Sequence, residues 1–459
     1  MSREARRVPA RIAHPSPRAR RPKVEGLEDR FLLYAANGGH WQFPSRVTYS
    51  FAPDGTNIGG ISNDLNVSLS SLGISTASWQ AAVNKAAVAW EAIAGVNLVQ
   101  VTDNGADFGD SAGNQQGDSH YGDIRIGGIS LSSSVLAEAF LPPAYNGGSL
   151  AGDIVFNTNQ PWRVGADYDI QTVAMHEFGH ALGLDHSSDS TATMYPNYTG
   201  TDQVLAADDK SGMQSVYGTR QPDAFDAAAS NQTLATASNI TTFVNAANLQ
   251  ASIPGLDIGT TSDLDYYKVV VPAGASSSFT VKMQSTGLSS LSPRLFVLNS
   301  VGNLVSNIYS TAFGATLSIN VSGVSTGQTY YFRAQGSSSG SSGVGSYGLQ
   351  VNFGGSTQAA IAPPNTTVAA QADQGGGSSF ELNGHGSGVG DFNFNDQSLQ
   401  IGSLRGVLDA LTIGARRHSP ILEHSTTSAT VSHHQALDHA IAAWTPEANH
   451  RARARHRRG

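Results

Sequence analysis

The chain has no cysteine among its 459 residues. Disulfide bridges are therefore excluded, and so is any thiolate ligand to a metal. A secreted fold of this kind must rely on a large core or on bound metal. Charge is also scarce: Asp, Glu, Lys and Arg together make up 14 %, with a net charge of -8. That balance argues against nucleic acid as a partner. No apolar run approaches the length needed to span a bilayer as a helix. What is abundant is glycine, at 50 residues, alongside Ser, Thr, Asn and Ala. This mix predicts a β-rich, loop-rich extracellular chain, and its length predicts two or three domains.

One stretch carries chemistry: His176-Glu177-Phe178-Gly179-His180-Ala181-Leu182-Gly183-Leu184-Asp185-His186. Residues four apart share a helix face, so His176 and His180 can aim two imidazoles at one ion. Gly183 can end the helix at positive φ and turn the chain back, which brings His186 in as a third ligand. Three nitrogens and one open position describe a catalytic zinc; a structural zinc would be closed by a fourth side chain. Glu177 lies beside the ligand face, within reach of a water held there, and is the expected general base. The ligands must be neutral to bind, so activity should fall in acid. Thr193-Met194-Tyr195-Pro196 follows a short polar loop, and Met194 is expected to floor the site without binding the metal. A long zinc motif followed by such a Met-turn is the metzincin signature.

Upstream, Val47-Thr48-Tyr49-Ser50-Phe51 alternates as a strand. Trp79, Val83, Ala86, Trp90 and Ile93 recur at helical spacing from about Thr76, a stripe that implies core packing and no more. Further strands are predicted at Leu98-Val99-Gln100-Val101, Asp123-Ile124-Arg125-Ile126, Val135-Leu136-Ala137-Glu138-Ala139-Phe140 and Ile154-Val155-Phe156. Pro142 and Pro143 at the exit of the fourth suit an edge strand, to which an extended peptide could add. The Asp/Gly/Asn-rich loop from Asp103 to Asp118 could hold calcium, although solvated loops of this composition are commoner. Asp169 is the expected cap of the helix carrying His176.

Residues 40–219 resemble the matrix metalloproteases (matrixins). The resemblance rests on Val173-Ala174-Met175 leading into the zinc motif, on Leu136-Ala137-Glu138-Ala139-Phe140 with Gly152-Asp153, on Pro196-Asn197-Tyr198, and on the helical stretch around Asp208-Asp209. It implies an α+β metzincin domain, a twisted mixed sheet with an active-site helix. It also implies one catalytic zinc on His176, His180 and His186, with Glu177 as the catalytic residue. Thr172, Ala137, Ala139, Pro196 and Tyr198 would line the substrate pocket. Three departures follow. Glu138 and Val155 stand where animal-type relatives place histidines for a second zinc, so no structural zinc is expected. Asn157, Asn159 and Gln160 replace acidic calcium ligands after the fifth strand; Asp153 remains, which leaves calcium open but weakly supported. A chain without cysteine cannot keep itself latent through a propeptide thiolate.

Residues 220–355 read as an all-β sandwich, with strands expected near Tyr266, Phe279, Leu295, Leu317, Thr329 and Tyr347 between Gly/Ser/Asn turns. Asp263-Leu264-Asp265-Tyr266-Tyr267 and the Tyr330-Tyr331 strand resemble the pre-peptidase C-terminal domain of secreted bacterial proteases. Asp263 and Asp265 read as turn residues rather than calcium ligands. Residues 1–39 are a basic leader in which the segment from Val24 to Leu33 resembles a bacterial export tag. Residues 356–459 read as a low-complexity, His-rich tail, so both ends are expected to be disordered. The sequence therefore points to a monomeric zinc endopeptidase, secreted or at the cell surface, that acts on protein or peptide substrates. It leaves open an extracellular binding or adhesion protein that works through the sandwich and carries an inactive protease fold.

Overall fold

The structure, a computed structural model, describes Ala36 and residues 39–143, 146–338 and 340–369. The remainder of the leader and the tail beyond residue 369, with its histidines, lie outside the described residues.

The first half is built on a five-stranded mixed sheet. Its strands are β1 (Val47–Phe51), β4 (Leu98–Gln100), β5 (Ile124–Ile129), β6 (Ala137–Ala139) and β7 (Ile154–Asn157), in the order β4-β1-β5-β7-β6. A small hairpin, β2 (Asn57–Ile58) with β3 (Ile61–Ser62), precedes α1 (Leu65–Ser71). Strands β4, β1, β5 and β7 run parallel, and β6 closes the sheet antiparallel to β7 with Glu138 opposite Val155. As the prolines suggested, β6 is an edge. Every residue of β5 is buried, which fits a strand covered on both faces.

Two helices pack over this sheet. Helix α2 (Thr76–Glu91) starts at Ser75, whose side chain accepts from Ser78 N, and buries Trp79, Val83, Ala86 and Trp90. Helix α3 (Ile170–Ala181) is buried along its whole length. A helix with no solvent face owes its stability to tertiary packing rather than to propensity. α4 (Ala207–Tyr217) ends the first half at Gly218, whose φ of 73° suits glycine.

The second half follows α5 (Ala224–Ala228) and contains two sheets. One holds β8 (Ser238–Asn239), β10 (Asp265–Val270), β12 (Pro293–Asn299), β13 (Leu304–Tyr309) and β15 (Thr329–Gly336), in the order β13-β12-β15-β10-β8. The other holds β9 (Gln250–Ile258), β11 (Ser278–Gln284), β14 (Thr316–Ser322) and β16 (Gly345–Asn352), in the order β14-β11-β16-β9. Strict alternation along β10 and β14 sends Tyr267, Val269, Leu317, Ile319 and Val321 into one core shared by both sheets.

The two halves are joined by buried polar contacts. Arg220 donates to both carboxylate oxygens of Asp257 at 2.7 Å and to Asn97 Oδ1 at 2.7 Å. Glu91, at the end of α2, accepts from Leu98 N and from Ser290 N of the second half. Burial, countered in part by Arg220, pushes the Glu91 carboxyl up to about 8. A side chain at Gly345 would sit 2.8 Å from Glu91 Oε1, so this contact requires glycine.

The expectation that order ends near residue 355 is corrected. Residues 356–369 run back from the second half to the first. Gln284 holds Ile361 through both backbone groups at 2.9 Å, and Val368 bridges Gln116 in the loop of the first half. Each of these anchors is a backbone or amide contact, invisible in a polar, unpatterned stretch.

Candidate metal centre

The site begins with the cap of α3. Asp169 accepts from Thr172 N at 3.0 Å and from Gln203 Nε2 at 2.9 Å, while its own N–H donates to Tyr198 Oη. This fixes the helix start and ties Thr172 to Tyr198. The helix axis is then set by three hydrogen bonds from aromatic side chains. Trp90 Nε1 donates to Met175 O at 2.9 Å, Trp41 Nε1 to Ala181 O at 2.9 Å, and Tyr217 Oη to Leu182 O at 2.8 Å. Sequence reading took Trp90 as packing alone. The periodicity gives its burial, but not the indole donor that fastens it to the residue before His176.

At the far end Gly183 adopts φ 109°, and Leu184 N closes the turn onto Gly179 O. The chain reverses and brings His186 against the helix. Nε2 of His180 lies 3.1 Å from Nε2 of His176 and 3.2 Å from Nε2 of His186. The opposite nitrogens are committed elsewhere: His176 Nδ1 meets Thr193 O at 2.8 Å, and His180 Nδ1 meets Leu184 O at 2.9 Å. A carbonyl can only accept, so these two rings carry their proton on Nδ1 and turn a bare Nε2 inward. Burial pushes all three imidazoles down, His186 to about 3, with neighbouring histidines adding to the effect at His176 and His186. Two of the three converging nitrogens, those of His176 and His180, are thus bare acceptors. That donor set is compatible with zinc.

Glu177, next to His176 on α3, is buried, and its Oε2 has no hydrogen-bond partner. Burial first, and Glu138 second, raise its carboxyl well above the usual range. A buried carboxyl oxygen left open, on the residue that follows a ligand-type histidine, is a candidate for proton transfer.

Met194 packs against Gly179 of α3, in the same buried core as Trp90. Its loop is held by one carboxylate: Asp209 accepts from Thr193 N, Met194 N and Ala206 N at 2.8–3.0 Å. Ser187 Oγ donates to Asp208 at 2.5 Å, which joins the same helix start to the loop carrying His186. Asp208 and Asp209 were legible as part of a family pattern, while their role as the anchor of the Met-turn was not.

Gly179 marks how tight this floor is. A Cβ there would overlap Met194 Sδ and come within 3.1 Å of Trp90 Cζ2. Gly179→Ala gains about 1 kcal/mol in helix propensity but forces overpacking worth about 1–3 kcal/mol. We expect a net loss of about 1–2 kcal/mol in urea unfolding. An unfolding midpoint above the parent's would show that Met194 can move aside.

The pocket residues are placed unevenly. Ala139, Pro196 and Tyr198 are partly exposed. Ala137 is fully buried in the core with α3, and Thr172 is buried with its hydroxyl engaged by Asp169 and Asp202. The loop read as a candidate for calcium has another use. Asp103 takes Arg125 Nε at 3.0 Å and Nη2 at 2.8 Å, so both of its oxygens are committed. Asn157 and Gln160 likewise spend their amide donors on the carbonyls of Ser132, Ser133 and Val135.

Residues 64–218 match the family profile of the matrixins. Human matrix metalloproteinase-27 is 48 % identical over 88 residues, 18 % of this chain and 16 % of that protein. Human matrix metalloproteinase-20 is 38 % identical over 145 residues, 30 % of this chain and 28 % of the relative. Karilysin of Tannerella forsythia is 43 % identical over 88 residues, 19 % of this chain and 18 % of its own. The chain spans less than a third of the length of these curated relatives. Residues 64–218 are thus a matrixin-like peptidase domain, and no helix among the described residues is long and apolar enough to cross a membrane.

Proposed function

We propose, with a matrixin-like domain as the premise, that this protein is a secreted zinc-dependent endopeptidase with a single catalytic metal. The observation that carries the reading is the convergence of three imidazole Nε2 atoms on one point, with the open carboxyl oxygen of Glu177 on the residue after His176. His176, His180 and His186 would hold the zinc, which when bound polarises the scissile carbonyl and acidifies a water.

The protein's own groups supply the rest. Thr193 O and Leu184 O fix two of the imidazole tautomers, so the ligand set is ready before the metal arrives. Glu177 is the general base. Burial alone favours its protonated form, and a divalent charge beside it would restore the carboxylate that can take a proton from water. It then holds that proton where the leaving amine needs it. Strand β6 is the last strand of its sheet and packs against α3, so an extended peptide added beside it would cross the metal centre. Ala139, Pro196 and Tyr198 are the proposed substrate-contacting set, while Ala137 and Thr172, expected from the sequence to line the pocket, are buried behind them.

An adhesion protein with a disabled protease fold has less support, because the three imidazoles converge and residues 64–218 match the matrixins. Hydrolysis of an unfolded protein substrate, abolished by a zinc chelator and restored by added zinc, is the expected result. Cleavage that continues unchanged with chelator in excess would rule the reading out.

A further inference from the structure

The outer face of the sheet β13-β12-β15-β10-β8 carries charge of one sign. Between residues 266 and 369 the chain has no Asp or Glu, and its four basic residues there are Lys268, Lys282, Arg294 and Arg333. Side chains alternate along a strand, and residues paired across strands share a face. Tyr267, Leu295, Val297 and Phe332 take the inner face and the core. Lys268, Arg294, Phe296 and Arg333 are left on the outer face. The register lines them up: Tyr266 pairs with Arg333, Arg333 with Phe296, Lys268 with Tyr331, and Arg294 with Tyr309. Three of the four cations therefore share one face, in a chain whose net charge is -8.

Arg294 and Arg333 both lie over the ring of Phe296, with Cζ at 4.6 and 3.7 Å from its centroid. Arg294 is also 5.7 Å from the centroid of Tyr309, and Arg333 is 5.8 Å from that of Tyr266. A ring face attracts each guanidinium, but the two cations repel one another. An arginine cannot shed its charge. Neither forms an ion pair among the described residues. Arg333 Nη1 donates to Tyr266 Oη at 3.3 Å, and the Arg294 side chain has no hydrogen-bond acceptor among the described residues. The Nε atoms of both are out of water and unpartnered. Charged donors held together and partly dried, with nothing to receive their hydrogens, are unfavourable until an anion meets them.

We propose that this face binds an acidic polysaccharide, with carboxylate or sulfate groups on Arg294 and Arg333 and a sugar ring against Tyr309. A guanidinium stacked on an aromatic ring keeps its edge for two parallel hydrogen bonds to such a group. Tyr309 is 61 % exposed and offers an amphipathic ring to the C–H face of a sugar. Other polyanions fit less well. An acidic peptide adds to a free strand edge, but β12 and β15 are paired on both sides, and the edge strand β13 carries no charge. A nucleic acid stacks its bases on exposed rings, and Phe296 is buried under the two arginines. An anionic lipid surface calls for about four to eight clustered cations, more than this face holds. Bound in this way, the sandwich would keep the peptidase domain on an acidic matrix, a function separate from peptide hydrolysis.

The basic ends of the chain also attract polyanions, so the test must report on the two arginines themselves. The full zinc-loaded chain is treated with phenylglyoxal, which modifies arginine, in the presence of polygalacturonate, dextran sulfate or uncharged dextran. Modification is read residue by residue by mass spectrometry. Arg294 and Arg333 are expected to be protected by at least one acidic polymer and not by uncharged dextran, and added salt is expected to remove the protection. The two acidic arms separate carboxylate from sulfate. Arg333→Gln is expected to raise the polymer concentration that half-protects Arg294 by about tenfold, with peptide hydrolysis unchanged. The proposal is overturned if neither acidic polymer protects the two arginines, if uncharged dextran protects them equally, or if Arg333→Gln leaves the protection of Arg294 as it was. It is overturned too if polyglutamate or a single-stranded oligonucleotide protects them at lower concentration than both polysaccharides, which would give the face to another class of partner. Should Arg333→Gln fail to fold, Tyr309→Ala, an exposed position, decides. Weaker protection by about twofold or more supports the site, and unchanged protection removes it.

Discussion

Glu177→Gln is expected to lower kcat for peptide hydrolysis by about 10²–10⁴-fold, the usual contribution of a positioned general base, while the zinc content stays at the parent level. The substitution keeps the shape of a side chain that is buried beside the histidines. It changes no nitrogen of His176, His180 or His186, and the tautomers of His176 and His180 are set by Thr193 O and Leu184 O rather than by Glu177. It also removes a like charge facing Glu138, so stability should hold or rise. What is lost is the one group at the centre able to take and return a proton. Parallel measurements of kcat and metal content separate this from a damaged site. A variant that hydrolyses at the parent rate would mean that Glu177 is not the base. A variant that has lost its zinc would mean that Glu177 shapes the ligand set.

The second large effect is one of stability, and it sits under the same sheet. Arg125→Leu is expected to cost about 3–5 kcal/mol in urea unfolding, the range for breaking one half of a buried ion pair. Arg125 and Asp103 both have side chains at 0 % exposure. The guanidinium lies between the rings of Phe108 and Tyr121, 4.6 and 4.5 Å from their centroids, and also donates to Asp107 O. Asp153, buried beside it, has one oxygen on Arg125 N and another without a partner. Removing the cation leaves Asp103 charged and dry. Leucine replaces the apolar volume but neither charge nor donors, so the electrostatic loss decides the sign. The double variant Arg125→Leu/Asp103→Leu should recover much of the loss, because both buried charges then go together. A single variant that loses less than about 1 kcal/mol would show that water reaches Asp103.

Legibility in the sequence followed the range of the signal. The histidine spacing, the glycine turn, the cap at Asp169 and the edge strand Ala137–Ala139 are local patterns, and each could be read directly. The α2 stripe gave burial but hid the Trp90 bond to Met175 O, which depends on a contact 85 residues away. Strand Gln250–Ile258 went unread because Pro254 interrupts it; the strand is an edge, where a missing N–H is tolerated. Leu304–Tyr309 went unread because it is exposed on nearly every residue and so carries no alternation. The meeting of Arg294 and Arg333 over Phe296 went unread because the two arginines belong to different stretches, and only folding brings them together.

The claim on which the rest depends is that His176, His180 and His186 hold one zinc and that this zinc serves peptide hydrolysis. Zinc titrated into metal-free full-length protein, with peptide hydrolysis recorded in the same sample, tests it most directly. The account predicts that activity climbs in proportion to added zinc and breaks at one equivalent, and that His180→Ala shows neither the climb nor the break. Activity without metal, or a wild-type titration curve reproduced by His180→Ala, would contradict it.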